Sequence, residues 1–148
     1  MRGVVIDTNI VLDMWVFDDP RSRPLNQALQ SGDVHWWASA EMREELLRVL
    51  AYPHLVARQA LRGVSAPDVL AQFDQHAHSV PSAERAPYVC NDADDQKFID
   101  LAVAQQATLI SKDKEVLRMK NRLARLGVAV WPVWVPPALT CPPASVPA

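Results

Sequence analysis

Four carboxylates in this chain occupy positions where acids do chemistry. The first closes the stretch VVID: Asp7 follows three branched apolar residues directly. In open parallel sheets, ligands bind beyond the carboxyl ends of the strands, where the order of connections reverses. Aspartate is also a good helix N-cap, so Asp7 alone is divided between ligand and cap. The stretch TLISKD repeats the arrangement, with Asp113 just past a short apolar run. Two such residues on neighbouring strands would face one crevice.

Helical periodicity separates the remaining acids. In SAEMREELLRVL, about 100° per residue places Met42, Leu46, Val49 and Leu50 on one face. Glu45 falls beside Val49 at the rim of that face, and Glu44 falls opposite. In DDQKFIDLAVA, Asp95 shares a face with Phe98, Ile99, Ala102 and Val103. Asp94 is intermediate, and Asp100 lies off the face and reads as solvated. Asp95 also stands in a first helical turn, where the helix dipole favours an anion. A carboxylate on a buried face is costly unless it is paired, protonated or bound to a metal. Asp92, one turn earlier, is placed to join. Asp7, Glu45, Asp95 and Asp113 therefore converge, and Lys97 and Lys112 are the nearest basic residues in sequence. A divalent cation is the simplest way to neutralise the group. Oxygen ligands alone suit Mg²⁺ or Mn²⁺ rather than zinc.

The elements that must hold these residues alternate. Residues 4–6, 34–38, 109–110 and 128–131 read as strands. Helices are expected over the stretch that follows Asp7 to about Val16, and over residues 24–29, 40–50, 55–61, 65–77, 95–106 and 116–126. Ser65, Pro67 and Asp68 form a helix start with a capping residue, a first-turn proline and an acid at the third position. Residues 80–89 read as irregular. Alternation of this kind predicts an α/β fold with a mostly parallel sheet and helices on both faces. Pro132 marks the last strand as an edge strand, or marks its end. Six of the 12 prolines lie in the 17 residues from Pro132 onward. The reading is one domain over residues 1–135 and a proline-rich, disordered tail over 136–148.

Composition excludes several classes. A chain of 148 residues with 49% hydrophobic and 22% charged residues is globular. Two cysteines, Cys90 and Cys141, do not make a disulfide framework, and the N-terminus lacks a signal-peptide layout. No apolar run reaches the roughly 18 residues of a membrane span. A cytoplasmic protein is expected. The net charge of −2 does not advertise nucleic-acid binding, yet residues 112–125 carry six basic residues and two acidic ones. That stretch reads either as a solvated helix face or as an edge that contacts phosphate. His76 and His78, at a helix end, read as a surface feature.

VVIDTNIVLD, EELLRVL, CNDADDQKFIDLA and LISKDKEVL occur in the order found in PIN-domain nucleases, and cover the chain to about Trp131. The sequence resembles that family, and most of all its bacterial branch of toxins from toxin–antitoxin pairs. The resemblance implies a Rossmann-like, three-layer PIN domain and a metal-dependent endoribonuclease acting on single-stranded RNA. By position, Asp7, Glu45, Asp95 and Asp113 match the acidic quartet, and Asp92 matches a further acid of this branch. Asn9 and Ser111 match polar residues that support the site, although threonine is commoner at the place of Ser111. Ala93 stands where proline is frequent. Lys112, Lys114, Arg118, Arg43 and Arg48 are the candidates for holding the RNA backbone. The resemblance also implies a cognate antitoxin, and relatives of this kind often dimerise. A phosphotransferase of the haloacid dehalogenase type would need a second aspartate where Asn9 stands. A PIN scaffold that binds without cutting is the alternative that a complete quartet disfavours.

Overall fold

The computed structural model describes residues 2–136. Branched and apolar residues build a five-stranded sheet: β1 (Arg2–Ile6), β2 (Val34–Ala38), β3 (Ala77–Ser79), β4 (Thr108–Ile110) and β5 (Val130–Trp131). The order is β3-β2-β1-β4-β5, and every pairing is parallel. The chain builds one side of β1 first, then crosses to build the other. The switch point therefore lies between β1 and β4, whose registers run Val4 to Thr108, Val5 to Leu109 and Ile6 to Ile110. All of these residues except Thr108 are buried.

Between the strands run α1 (Thr8–Leu12), α2 (Arg23–Ser31), α3 (Ala40–Leu50), α4 (Pro53–Arg62), α5 (Ala66–His76), α6 (Gln96–Gln105), α7 (Lys114–Leu117) and α8 (Lys120–Ala124). α6 packs across β1, β2 and β4. It presents Phe98, Ile99, Leu101 and Ala102, each 1% exposed or less. The alternation of β2 sends Trp36 into one helical layer, against Trp15 at 5.8 Å and Phe73 at 4.9 Å between ring centroids. His35 and Trp37 leave on the other side. Trp37 explains Gly3: a Cβ there would lie 2.9 Å from the indole Nε1. The outcome is a Rossmann-like three-layer α/β domain with a parallel sheet, as expected.

Several elements differ from expectation. The helix expected over 55–61 begins earlier, because Pro53 occupies the first turn of α4, where its missing N–H costs nothing. Helix α5 opens on the expected reciprocal cap between Ser65 and Asp68. It ends at His76, and Ala77–Ser79 becomes β3. Three residues at a sheet edge carry too little apolar pattern to announce a strand. The expected helix over 116–126 is two short helices, broken at Arg118 and Met119. The first helix passes at Asp13–Phe17 into a wider π-turn that ends with Asp18 in the left-handed region, φ 51°. Asp100 is half-buried rather than solvated, because it accepts from the Ala86 N–H at 2.9 Å and the Gln96 amide at 2.7 Å. His78 is exposed as expected, whereas His76 is half-buried and stacked on Trp15. The expected tail over 136–148 lies, apart from Pro136, outside the described residues. Among those described, no helix is long and apolar enough to cross a membrane.

Candidate metal centre

The site forms at the switch point. β1 ends at Ile6, and the Asp7 N–H still donates to the Ile110 carbonyl at 2.9 Å, so the two strand ends stay level. Asp7 is 4% exposed. It is both cap and site residue: one oxygen takes the Asn9 N–H at 3.4 Å and the other takes the Ser111 hydroxyl at 2.6 Å. Burial raises its carboxyl above the usual range. The hydrogen bonds from Ser111 and Asn9 oppose that, and the negative charges of Glu45 and Asp113 add to it.

Ser111 is fully buried and joins the two strand-end acids. Its hydroxyl donates to Asp7 and accepts from the Asp113 N–H at 3.2 Å. Serine supplies all that this link uses. Asp113 caps α7 through the Glu115 N–H at 2.8 Å. Asn9 supports Asp7 through its backbone, and its exposed side chain makes no hydrogen bond among the described residues.

Asp95 enters from the opposite side, on a 3₁₀ turn (Ala93–Asp95) that leads into α6. Asp92 caps that turn through the Asp94 N–H at 3.0 Å. Asp95 is 7% exposed, and its Oδ2 is buried without a partner. Its carboxyl is pushed up to about 7, by burial first and then by the charges of Asp7, Asp113, Asp92 and Glu45. One oxygen each from Asp92, Asp95 and Asp113 lies within 4.8 Å of the others.

Glu45 comes from α3 and is held at both oxygens. One receives Lys97 Nζ at 2.8 Å, and the other receives the Thr8 hydroxyl. Thr8 escaped the sequence reading; it is buried in the first turn after Asp7, and that adjacency was the available signal. Among the described residues, Lys97 is the one basic side chain paired with these five carboxylates. Four negative charges are thus left without a protein counter-ion when all ionise. An orphaned carboxylate oxygen beside two others, in a site of oxygen donors, fits a hard divalent cation such as Mg²⁺ or Mn²⁺. Asp92, Asp95 and Asp113 are the residues that would hold it.

The basic candidates are distributed differently. Lys112 donates at 2.7 Å to Asp13, a buried acid that the sequence reading passed over. Arg43 makes a two-pronged pair with Asp74 at 2.8 and 2.9 Å, and Arg118 pairs with Glu115 at 3.2 Å. Lys114 and Arg48 are exposed and make no ion pair among the described residues.

A switch-point cluster of acids on this three-layer sheet is the arrangement of a PIN domain. The family model for the PIN domain matches residues 3–115, and the chain belongs to that family. Its structure is similar to a chain in the crystal structure of VapBC2 from Rickettsia felis bound to a DNA fragment from their promoter. The TM-score is 0.58 at 13% identity, over 87% of this chain and 98% of that one. At that identity the likeness speaks for the fold. No curated protein matches the sequence.

Proposed function

We propose that this protein is a Mg²⁺- or Mn²⁺-dependent endoribonuclease that cuts single-stranded RNA with water as the nucleophile. PIN domains are generally nucleases, and the observation that carries the reading is Asp95. Its unpartnered, buried oxygen and its carboxyl near 7 support a site for a cation. When bound, such a cation acidifies a water and offsets charge that develops on the phosphoryl oxygens.

The chain's own residues do the rest. Asp95 or Asp113 orients the attacking water for in-line displacement. Ser111 holds Asp7 and Asp113 at a constant separation, and Thr8 with Lys97 holds Glu45. Lys114 and Arg48 meet the backbone on the rim. Lys112, Arg118 and Arg43 join them by exchanging a carboxylate partner for phosphate. The products carry 5′-phosphate and 3′-hydroxyl ends. Cleavage of single-stranded RNA with Mg²⁺ or Mn²⁺ tests the reading against Asp7→Asn and Asp95→Asn. Equal cutting by parent and variants would sink it.

The same reading makes this the cytoplasmic toxin of a toxin–antitoxin pair. The likeness to a chain of VapBC2 supports a protein partner. So do Leu47 on α3, Tyr52 between the helices and Val56 on α4, each about half exposed. A homodimer would use surface of the same kind. A neighbouring gene for a small DNA-binding protein, whose product relieves growth arrest on co-expression, is the expected finding.

A further inference from the structure

Lys97 is held more firmly than a surface lysine. Its ammonium lies 2.8 Å from Glu45 Oε1, 2.5 Å from the Asp94 carbonyl and 5.0 Å from the centroid of the Phe98 ring. The side chains of Lys97 and Glu45 are 19% and 13% exposed, so water screens the pair weakly. Both Glu45 oxygens already accept a hydrogen bond, the second from the Thr8 hydroxyl. Glu45 is correspondingly absent from the trio whose oxygens approach within 4.8 Å.

We infer that Lys97 is a built-in counter-ion that competes with the divalent cation for Glu45 and so lowers the site's metal affinity. The inference rests on the metal-dependent reading above. A fixed positive charge beside five carboxylates stabilises the metal-free protein by reducing their mutual repulsion. The same charge opposes a dication arriving at Asp92, Asp95 and Asp113. Lys97 is a positioning residue as well, since it sets where Glu45 points.

The two effects have opposite signs, which separates this role from simple structural support. In Lys97→Met the metal-free protein melts at a lower temperature, yet binds Mn²⁺ roughly tenfold more tightly, as expected for one charge removed from beside a dication. Lys97→Arg keeps the parent affinity. Titration calorimetry with Mn²⁺ alone, on the full chain without RNA, reads the affinities. Lys97→Gln, which retains a donor to Glu45 without the charge, serves if the methionine variant does not fold. Unchanged or weaker Mn²⁺ binding in the neutral variants overturns the inference while the proposed function stands. If the parent itself binds no Mn²⁺ and Asp95→Asn is indistinguishable from it, the proposed function falls and takes this inference with it.

Discussion

Replacing Asp95 by asparagine should stabilise the metal-free protein while abolishing its metal response. The Asp95 carboxyl titrates near 7 instead of 3.8, because burial and four neighbouring acids penalise its charge. The sign follows from linkage. Between about pH 4 and 7 the folded protein holds a proton that the unfolded chain has released, so stability falls as pH rises through that window. Above about 7 both states are ionised and the penalty is complete. The displacement corresponds to about 4 kcal/mol, and contact with water at the mouth of the site screens this to about 2 kcal/mol. Asparagine removes the charge and turns an amide donor toward Asp92 and Asp113, whose oxygens lie within 4.8 Å. In EDTA at pH 8 the variant should melt roughly 4–8 °C above the parent, and the two should converge near pH 4. Added Mg²⁺ should raise the parent alone, by about 2.7 kcal/mol at a hundred times its Kd. Differential scanning calorimetry across pH, with and without the cation, reads all of this. A variant that melts at or below the parent at pH 8 would refute the reasoning, because Asp95 would then be structurally satisfied.

Three further outcomes are expected. Ser111→Ala removes the hydroxyl that joins Asp7 to the Asp113 backbone; urea denaturation should show a loss of about 1–3 kcal/mol, and RNA cleavage should fall, with Ser111→Thr restoring both. Asp13→Ala leaves Lys112 without its partner and empties a buried position. It should cost about 1–3 kcal/mol by the same assay, and the salt dependence of RNA binding should steepen as Lys112 is freed for phosphate. Phe98→Ala, a fully buried ring on α6 where it packs across β1, β2 and β4, should cost about 3–5 kcal/mol in denaturant midpoint analysis.

Much of this architecture follows from local pattern. The strand-end position of Asp7, the rim position of Glu45 and the buried face of Asp95 were legible because period and polarity are properties of neighbouring residues. So were the reciprocal cap at Ser65 and Asp68 and the edge position of the last strand. What local pattern could not show were pairings between distant segments. Thr8 meets Glu45 across 37 residues, Lys97 meets it across 52, and Lys112 meets Asp13 across 99. Asp13 was a lone acid on the first helix until the π-turn and the end of β4 brought an ammonium to it. β3 was invisible for the same reason: three residues become a strand only when β2 offers them an edge.

The sequence by itself determined which acids are available, that Asp7 and Asp113 follow strands, that Asp95 opens a helix and Glu45 lies on a helix rim, and that their number exceeds the nearby cations. Only the tertiary structure decided how they divide. The crossing of the chain over β1 sets Asp92, Asp95 and Asp113 together. Asp7 is tied to Ser111 and Glu45 to Lys97 and Thr8 beside them. Charge is a property of each residue, but its cost depends on burial and on neighbours brought from elsewhere in the chain. That cost, concentrated on Asp95 with its unpartnered buried oxygen, is what supports the proposed metal centre over a row of helix caps.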